Sequence, residues 1–573
     1  MTQPITYTAP HQIPIPTTDI ASFIFSGDNA SKQSPQYFDA DAPSRNYSLA
    51  QAELYVKQVA HGLQTKLGLQ PDDKVLLFSG NNLYVPVLLW GVTAAGGVFT
   101  AANPAASESE LEYQLKDSTA TVLLTHPAGA AIAARVAERC GLPANRVYLF
   151  IDPRDKENYV SSPVWTDFWS RPEEVQSWTW RRITTADEAQ AKTAILNYSS
   201  GTTGAPKGVE ISHYNAIANC EQLVHKRGLV AATAAGEARK ARLDASGERW
   251  LCALPMYHAY GQTYFCLNAA RLNAKVYIMA KYDLNRFLLY IDTYRITFLS
   301  AVPVILNMIA KHPRPTDYNL QSIESVTTGS APLNPETGRA VAKLFLRPGV
   351  SVKQGLGMTE CTCSLSGFAP DDEDDGRSVG WLNANCKVRV VPVDGEDFSA
   401  SLPAGVTGGE LWIAGPNVMK GYFDKPEKTA ETIVEEVKDG EVVMRWLRTG
   451  DIGYVDAEGR IYVVDRLKEL IKVKGLQVSP AELELTLLEH SGVADAAVVG
   501  AKIDENEYPR AFVVRKSEAV TAKELQDLIA SRFARHKWLT GGVVFIDAIP
   551  RTGSGKIIRR ALHQMRVPPV TKL

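Results

Sequence analysis

Leu49, Ala52, Val56, Val59 and Leu63 recur at alternating steps of three and four, a spacing that predicts a helix. Ser48 before it and Gln51 three residues on make a capping box at its start. Downstream the pattern shifts to short apolar runs. "KVLLFSG", "TVLLTHP", "RVYLFI" and "AILNYSS" read as buried strands, with the helical "NNLYVPVLLWGVTAAGG" after the first. "RWLCALP", "KVYIMA", "ITFLSAVP", "SVTTGSA" and "VSVKQGLG" continue the series. Such alternation predicts α/β layers with substantial parallel sheet. From about Lys387 the texture changes to short strands separated by turns ("KVRVVPV", "GELWIAG", "RWLRTGDIGYVD", "RIYVVDR"), a β-rich region closing the large part. After it comes a tail of mixed helices and strands. Ser479-Pro480-Ala481-Glu482 is its clearest helix start, with a capping serine and proline at the first helical position. The expected division is residues 1–465 and 466–573. "DDEDDG", Asp371 to Gly376, reads as a solvated loop.

Composition changes this picture little. The chain has 573 residues, 45% hydrophobic and 22% charged, and a formal net charge of −2. That is ordinary for a globular protein of more than one domain, and no global field draws nucleic acid or an acidic membrane. The seven cysteines are scattered without a CxxC. Cys361 and Cys363, the one close pair, read as free thiols, and a reducing compartment is expected. The N-terminal stretch lacks the pattern of a secretory signal, and no run approaches the ~18 apolar residues of a membrane span.

Chemistry enters at "YSSGTTGAPKG", Tyr198 to Gly208. Glycines let backbone N–H groups approach phosphate oxygens, hydroxyls add donors and lysine adds charge. The spacing is not that of the P-loop, because Pro206 precedes Lys207 and Gly208 follows it. Continued through "VEISH", this stretch resembles the signature of the adenylate-forming superfamily, which includes acyl-CoA synthetases, 4-coumarate–CoA ligases, luciferases and peptide-synthetase adenylation domains. "LGMTE" (356–360), "RTGDIGYVDAEGRIYVVDRLKELIKVKGLQVSPAELE" (448–484) and "PRTGSGKIIRR" (550–560) resemble its further motifs, in its order. The texture is nearest to the 4-coumarate–CoA ligase-like branch. The resemblance implies a multi-layer α/β domain with a distorted β-barrel subdomain, and a small mobile α+β C-terminal domain. It implies a carboxylic acid, ATP, Mg²⁺ and coenzyme A as reactants and cofactors, an acyl-adenylate intermediate, and release of AMP.

Carried over residue by residue, the resemblance assigns Ser199, Ser200, Gly201, Thr202, Thr203, Gly204 and Lys207 to the β- and γ-phosphates, and Thr203 with Glu360 to Mg²⁺. Thr359 would touch the α-phosphate, Asp451 would accept the ribose hydroxyls, and Arg466 would contact the nucleotide at the domain junction. Gln354, Gly355 and Leu356 would lie at the adenine, with leucine replacing the aromatic residue usual in the family. The acyl pocket would be formed by Tyr257, His258, Gly329, Ser330, Ala331 and Gly355. Lys556 would bridge α-phosphate and carboxylate in the first half-reaction. Lys472 and Gln477 would face the site in the second, with Lys474 and Gly475 on coenzyme A and a hinge near Asp465 to Lys468.

Two other readings share these motifs: a luciferase-like monooxygenase and a non-catalytic nucleotide-binding homologue. An amino-acid substrate is disfavoured because "PMYHAYGQTY" holds no acid to pair an amine. The substrate stays open among aryl, arylalkanoic and medium-chain acids. The final Thr571-Lys572-Leu573 resembles the peroxisomal address S-K-L, to be read by an import receptor, or is an arbitrary tail; the location is cytoplasmic or peroxisomal.

Overall fold

The computed structural model describes residues 4–26, 30–199, 205–344, 347, 349–393, 402, 406–473, 476–503, 506–553 and 555–565. The capping box at Ser48 forms as expected: its hydroxyl accepts from the Gln51 backbone, and the Gln51 side chain accepts in return. Helix Leu49–Thr65 then buries Leu49, Ala52, Val56, Val59 and Leu63. Each large aliphatic side chain so buried contributes about 1.5–3 kcal/mol. Helix Val85–Ala94 is buried on every side, which explains its lack of a polar face. Its Trp90 indole donates to the Cys266 carbonyl at 3.0 Å.

Two seven-stranded sheets form the large part. In the first, five strands run parallel (Val147–Leu149, Val122–Thr125, Lys74–Phe78, Val98–Ala102, Thr193–Ser199), and Lys207–Ser212 and Gly421–Tyr422 continue it antiparallel. Ser199 lies opposite Lys207 in that register, so the two flank the glycine-rich stretch whose residues 200–204 lie outside the described ones. The second sheet orders Val352–Gln354, Ser325–Thr328, Phe298–Ala301, Arg249–Cys252, Lys275–Ile278 and Pro35–Asp39 in parallel, with Asn46–Ser48 antiparallel at its edge. The C-terminal ends of three of its strands deliver Thr327 to Ser330, Gln354 to Gly357, and the chain that leads to His258.

The β-rich region is a six-stranded antiparallel sheet that contains the long strand Glu441–Val455 and its partner Ile461–Arg466. Asp451 and Arg466 are direct cross-strand neighbours there. The main hydrophobic cluster ends at Ile461, and a separate one starts at Ile471. The second is built on helix Pro480–Glu489, capped by Ser479, and a sheet of Val493–Ile503, Asn506–Arg515 and Val543–Phe545.

The acidic stretch departs from expectation. Asp371 pairs with Arg239 at 2.6 Å, with both side chains nearly buried, and accepts the Ala231 backbone N–H. Asp375 accepts the Tyr462 hydroxyl and two backbone N–H groups, which hold its carboxyl low, at about 2, against the opposing effect of burial. The run ties three segments together, and charge density alone did not reveal the partners.

Candidate active site

A cavity of about 570 Å³ opens between the two large sheets, the β-rich sheet and the C-terminal part. That volume suits a small-molecule site. Its lining carries Lys207, Lys428, Arg448, Arg466, Lys468 and Lys556 against Glu360, Glu410 and Glu431. This excess of cations in a recessed site suits a polyanion.

Lys556 reaches the cavity from the C-terminal part on a tight turn. Its backbone N–H donates to Thr552 Oγ1 at 3.1 Å, and Gly555 adopts φ +82°. Burial first, then the charge of Arg466, lowers its amine to about 8, while Glu469, Asp451 and Glu360 oppose the shift. Gly553 passes so close to Tyr257 that a Cβ there would stand 1.9 Å from the phenol oxygen. A side chain at 553 would thus force the Tyr257 ring or the turn to shift, and glycine suits the backbone conformation at 555.

Asp451 is buried, and its carboxyl is raised by desolvation despite the Arg466 Nε donated to Oδ1 at 3.0 Å. Asp451 does not itself border the cavity, although Thr449, Gly450 and Arg466 do. Glu360 is buried on the turn Thr359–Cys361, and its Oε1 accepts the Tyr422 hydroxyl at 2.9 Å. The Tyr422 ring lies 4.6 Å beneath the Lys207 ammonium, a cation–π contact that steadies both. His258 borders the cavity. Burial, then the nearby Lys556 charge, lowers its ring to about 4, so it is neutral. Its Nδ1 accepts the Tyr260 N–H at 3.3 Å, which puts the ring proton on Nε2.

The structure brings together on this cavity Ser199, Lys207, His258, Gly329, Ser330, Gln354, Gly355, Leu356, Thr359, Glu360, Arg466 and Lys556. Gln354 uses its amide internally, accepting from the Leu333 backbone at 2.7 Å and donating to the Gly376 carbonyl at 3.2 Å. Tyr257 and Ala331, expected in the acyl pocket, do not border the cavity; Tyr257 abuts the Gly553 turn instead. Lys472 and Gln477 are cross-strand partners on the hairpin Ile471–Val478, away from the lining. Ser200, Gly201, Thr202, Thr203, Gly204, Lys474 and Gly475 lie outside the described residues, as do Thr571, Lys572 and Leu573.

Several lining residues went unnoticed in the sequence: Tyr422, Glu410, Lys226, Arg227, and the series Tyr260, Tyr264, Asn268, Leu272. The last has a legible signal, a step of four that begins at Tyr260, two residues after His258. Cys363 also borders the cavity, with its thiol pushed up by burial to about 12, and the cysteines are free as expected. No helix among the described residues is long and apolar enough to cross a membrane.

Residues 28–423 match the family model of the AMP-binding enzymes, and residues 482–556 match that of the AMP-binding enzyme C-terminal domain. A phenylacetyl-CoA ligase of Aspergillus niger, epaB, is 35% identical over 97% of this chain and 98% of its own. A 4-coumarate–CoA ligase of Pinus taeda is 35% identical over 91% and 90%. A solved anthranilate CoA ligase, AuaEII, in complex with anthranoyl-AMP shares the fold with a TM-score of 0.79 at 21% identity, over 96% of this chain and 97% of its own. With its motifs in register and both family models matched, the chain belongs to the AMP-binding enzymes, the adenylate-forming superfamily, in the branch of the 4-coumarate–CoA ligases.

Proposed function

We propose that the protein is an AMP-forming acid–thiol ligase that joins an aryl or arylalkanoic acid to coenzyme A. The observation that carries this reading is the convergence of Lys556, from the C-terminal part, on the cavity that Lys207, Glu360, Arg466 and neutral His258 already border. The obstacle in the first half-reaction is a carboxylate approaching a polyphosphate, and fixed cations at the developing charge lower it. A substrate carboxylate oxygen attacks the α-phosphorus, and the bond to pyrophosphate breaks. Lys556 and Arg466 offset the charge there, and Lys207 with the adjoining glycine-rich sequence holds the departing pyrophosphate. His258 donates from Nε2 toward the acyl group without adding charge. In the second half-reaction a thiol sulfur attacks the acyl carbon and AMP leaves.

Glu360 suits a Mg²⁺ role. A magnesium ion bound with substrate phosphates needs only one or two protein oxygens. One Glu360 oxygen is fixed by Tyr422, which orients the carboxylate; Thr203 is the proposed companion. When bound, the ion neutralises phosphate charge.

The two halves of the reaction are divided between positions of residues 466–573 relative to residues 1–465, with the hinge at Asp465 to Lys468. Lys472, Gln477, Lys474 and Gly475 serve the thioester-forming position. Support for this comes from the separate hydrophobic clusters on either side of the hinge. The C-terminal Thr571-Lys572-Leu573 is proposed as a peroxisomal address on its likeness to S-K-L. A tail-deleted fluorescent fusion that still entered peroxisomes would refute that role.

The ligase reading is tested by exchange of labelled pyrophosphate into ATP without coenzyme A. Exchange that depends on the acid is expected; exchange indifferent to the acid rules out the acyl-adenylate.

A further inference from the structure

Asp117 stands in the last turn of helix Glu108–Ser118. An acid is disfavoured there, because the carbonyl end of a helix carries partial negative charge. Helix formation does not account for it; its partners do. Asp117 Oδ2 accepts the Tyr198 hydroxyl at 2.8 Å, and Oδ1 accepts the Lys425 ammonium at 2.5 Å. The two charged side chains are only 14% and 25% exposed, so water screens the pair in part. Burial, and then the charge of Asp117, raises the Tyr198 phenol well above its ordinary value, which keeps it a donor. One turn earlier on the same helix, the Tyr113 hydroxyl donates to the Pro206 carbonyl at 2.7 Å.

These contacts converge on Lys207 from two sides. Tyr198 lies in strand Thr193–Ser199, opposite Gly208, and Ser199 lies opposite Lys207. Pro206 directly precedes Lys207. Lys425 belongs to the turn after Gly421–Tyr422: its N–H donates to the Tyr422 carbonyl at 3.1 Å, and the Phe423 N–H donates to the Gly208 carbonyl at 2.8 Å. Tyr422 supplies the ring beneath the Lys207 ammonium and the hydroxyl donated to Glu360. One carboxylate thus fastens both supports of Lys207, its own strand pair and the Tyr422 turn. Asp117, Tyr113, Tyr198 and Lys425 do not border the cavity, whereas Ser199, Lys207, Tyr422 and Glu360 do. A cation fixed in advance needs no reorganisation as charge develops, and a misplacement of about 1 Å can cost about 10²-fold in rate.

This inference rests on the ligase reading and deepens it. We propose that Asp117 is a positioning residue for the adenylation half-reaction: by joining Tyr198 to Lys425 it sets Lys207 against the phosphates that leave as pyrophosphate. Thioester formation involves no pyrophosphate, so the brace serves one half of the reaction and not the other.

The test measures the two halves separately, with a panel of aryl and arylalkanoic acids that includes phenylacetic acid. Asp117→Ala is expected to lower kcat/KM for ATP in acid-dependent pyrophosphate exchange by about tenfold or more. It should also raise the pyrophosphate concentration needed for half-maximal ATP synthesis from supplied acyl-adenylate. Thioester formation from the same acyl-adenylate and coenzyme A should stay within about twofold of wild type. In a Lys207→Ala background the Asp117 substitution should add less than about twofold to the loss, because residues that act as a unit are not additive. Should Asp117→Ala fail to fold, Tyr198→Phe, which removes one bond and keeps the ring, is expected to show the same split between halves. Equal losses in both halves, as a merely structural aspartate would give, overturn the inference and leave the ligase reading intact. So does unchanged exchange, or a loss undiminished when Lys207 is already alanine. Absence of acid-dependent exchange in the wild type with every acid of the panel overturns the ligase reading, and the inference with it.

Discussion

In the proposed reaction Lys556 offsets the charge at the α-phosphate, and its amine, lowered to about 8, would give adenylation a pH signature. The ammonium is the form that offsets phosphate charge. It is fully present below pH 7 and is lost as pH rises through 8. The kcat/KM for ATP in the adenylation half-reaction should therefore fall above pH 8, by ~tenfold per unit, since this parameter reports the free enzyme. Lys556→Arg should abolish that fall, because a guanidinium stays charged past pH 12. His258, lowered to about 4, cannot account for an alkaline limb. Lys556→Ala should slow acyl-adenylate formation by about 10²-fold or more while sparing thioester formation from supplied acyl-adenylate. Equal losses in both halves would contradict the division of labour. Tyr422→Phe should leave Glu360 unanchored and raise the Mg²⁺ concentration needed for half-maximal rate several-fold, read from a metal titration at fixed ATP. At this scale the sequence was legible where a motif fixes order and spacing, as for Lys207, Glu360 and Lys556. It was not legible for Tyr422, whose use depends on a strand edge brought beside Glu360 from 62 residues away.

At the scale of elements, the turn that carries Lys556 is held by contact and conformation. Placing a methyl group at Gly553 would collide with the Tyr257 hydroxyl, so the turn or the Tyr257 ring must shift. Gly553→Ala should then slow adenylation by about tenfold or more with little change in melting temperature, because the collision sits at a surface between parts and not in a core. Gly553→Ala combined with Tyr257→Phe should recover part of the rate; no recovery would show that the collision is not the cause. Asp465, next to last in strand Ile461–Arg466, accepts from Ser479 and from the Ala481 backbone, and burial raises its carboxyl to about 6. The helix start at Ser479 was readable from its capping pattern. The carboxylate that joins it to the strand was not, since no local rule links residues 465 and 479. The acidic run at 371–376 teaches the same point: its partners, Arg239 and Tyr462, are far away in the chain.

At the scale of the whole molecule, strand–helix alternation gave the layers correctly, because hydrophobic periodicity is a local property that survives into the fold. The cavity was not legible in that way. It forms where strand ends of two sheets, a β-rich sheet and the C-terminal part meet, and only the order of the motifs hinted that these segments share one site. The central claim is that ATP is cleaved to place AMP on an acid before a thiol displaces it. The most direct test is to supply the protein with ATP, Mg²⁺, coenzyme A and a panel of aryl and arylalkanoic acids, and to identify the nucleotide product. AMP formed in equal amount with acyl-CoA is the predicted result; ADP and phosphate in its place would contradict the account.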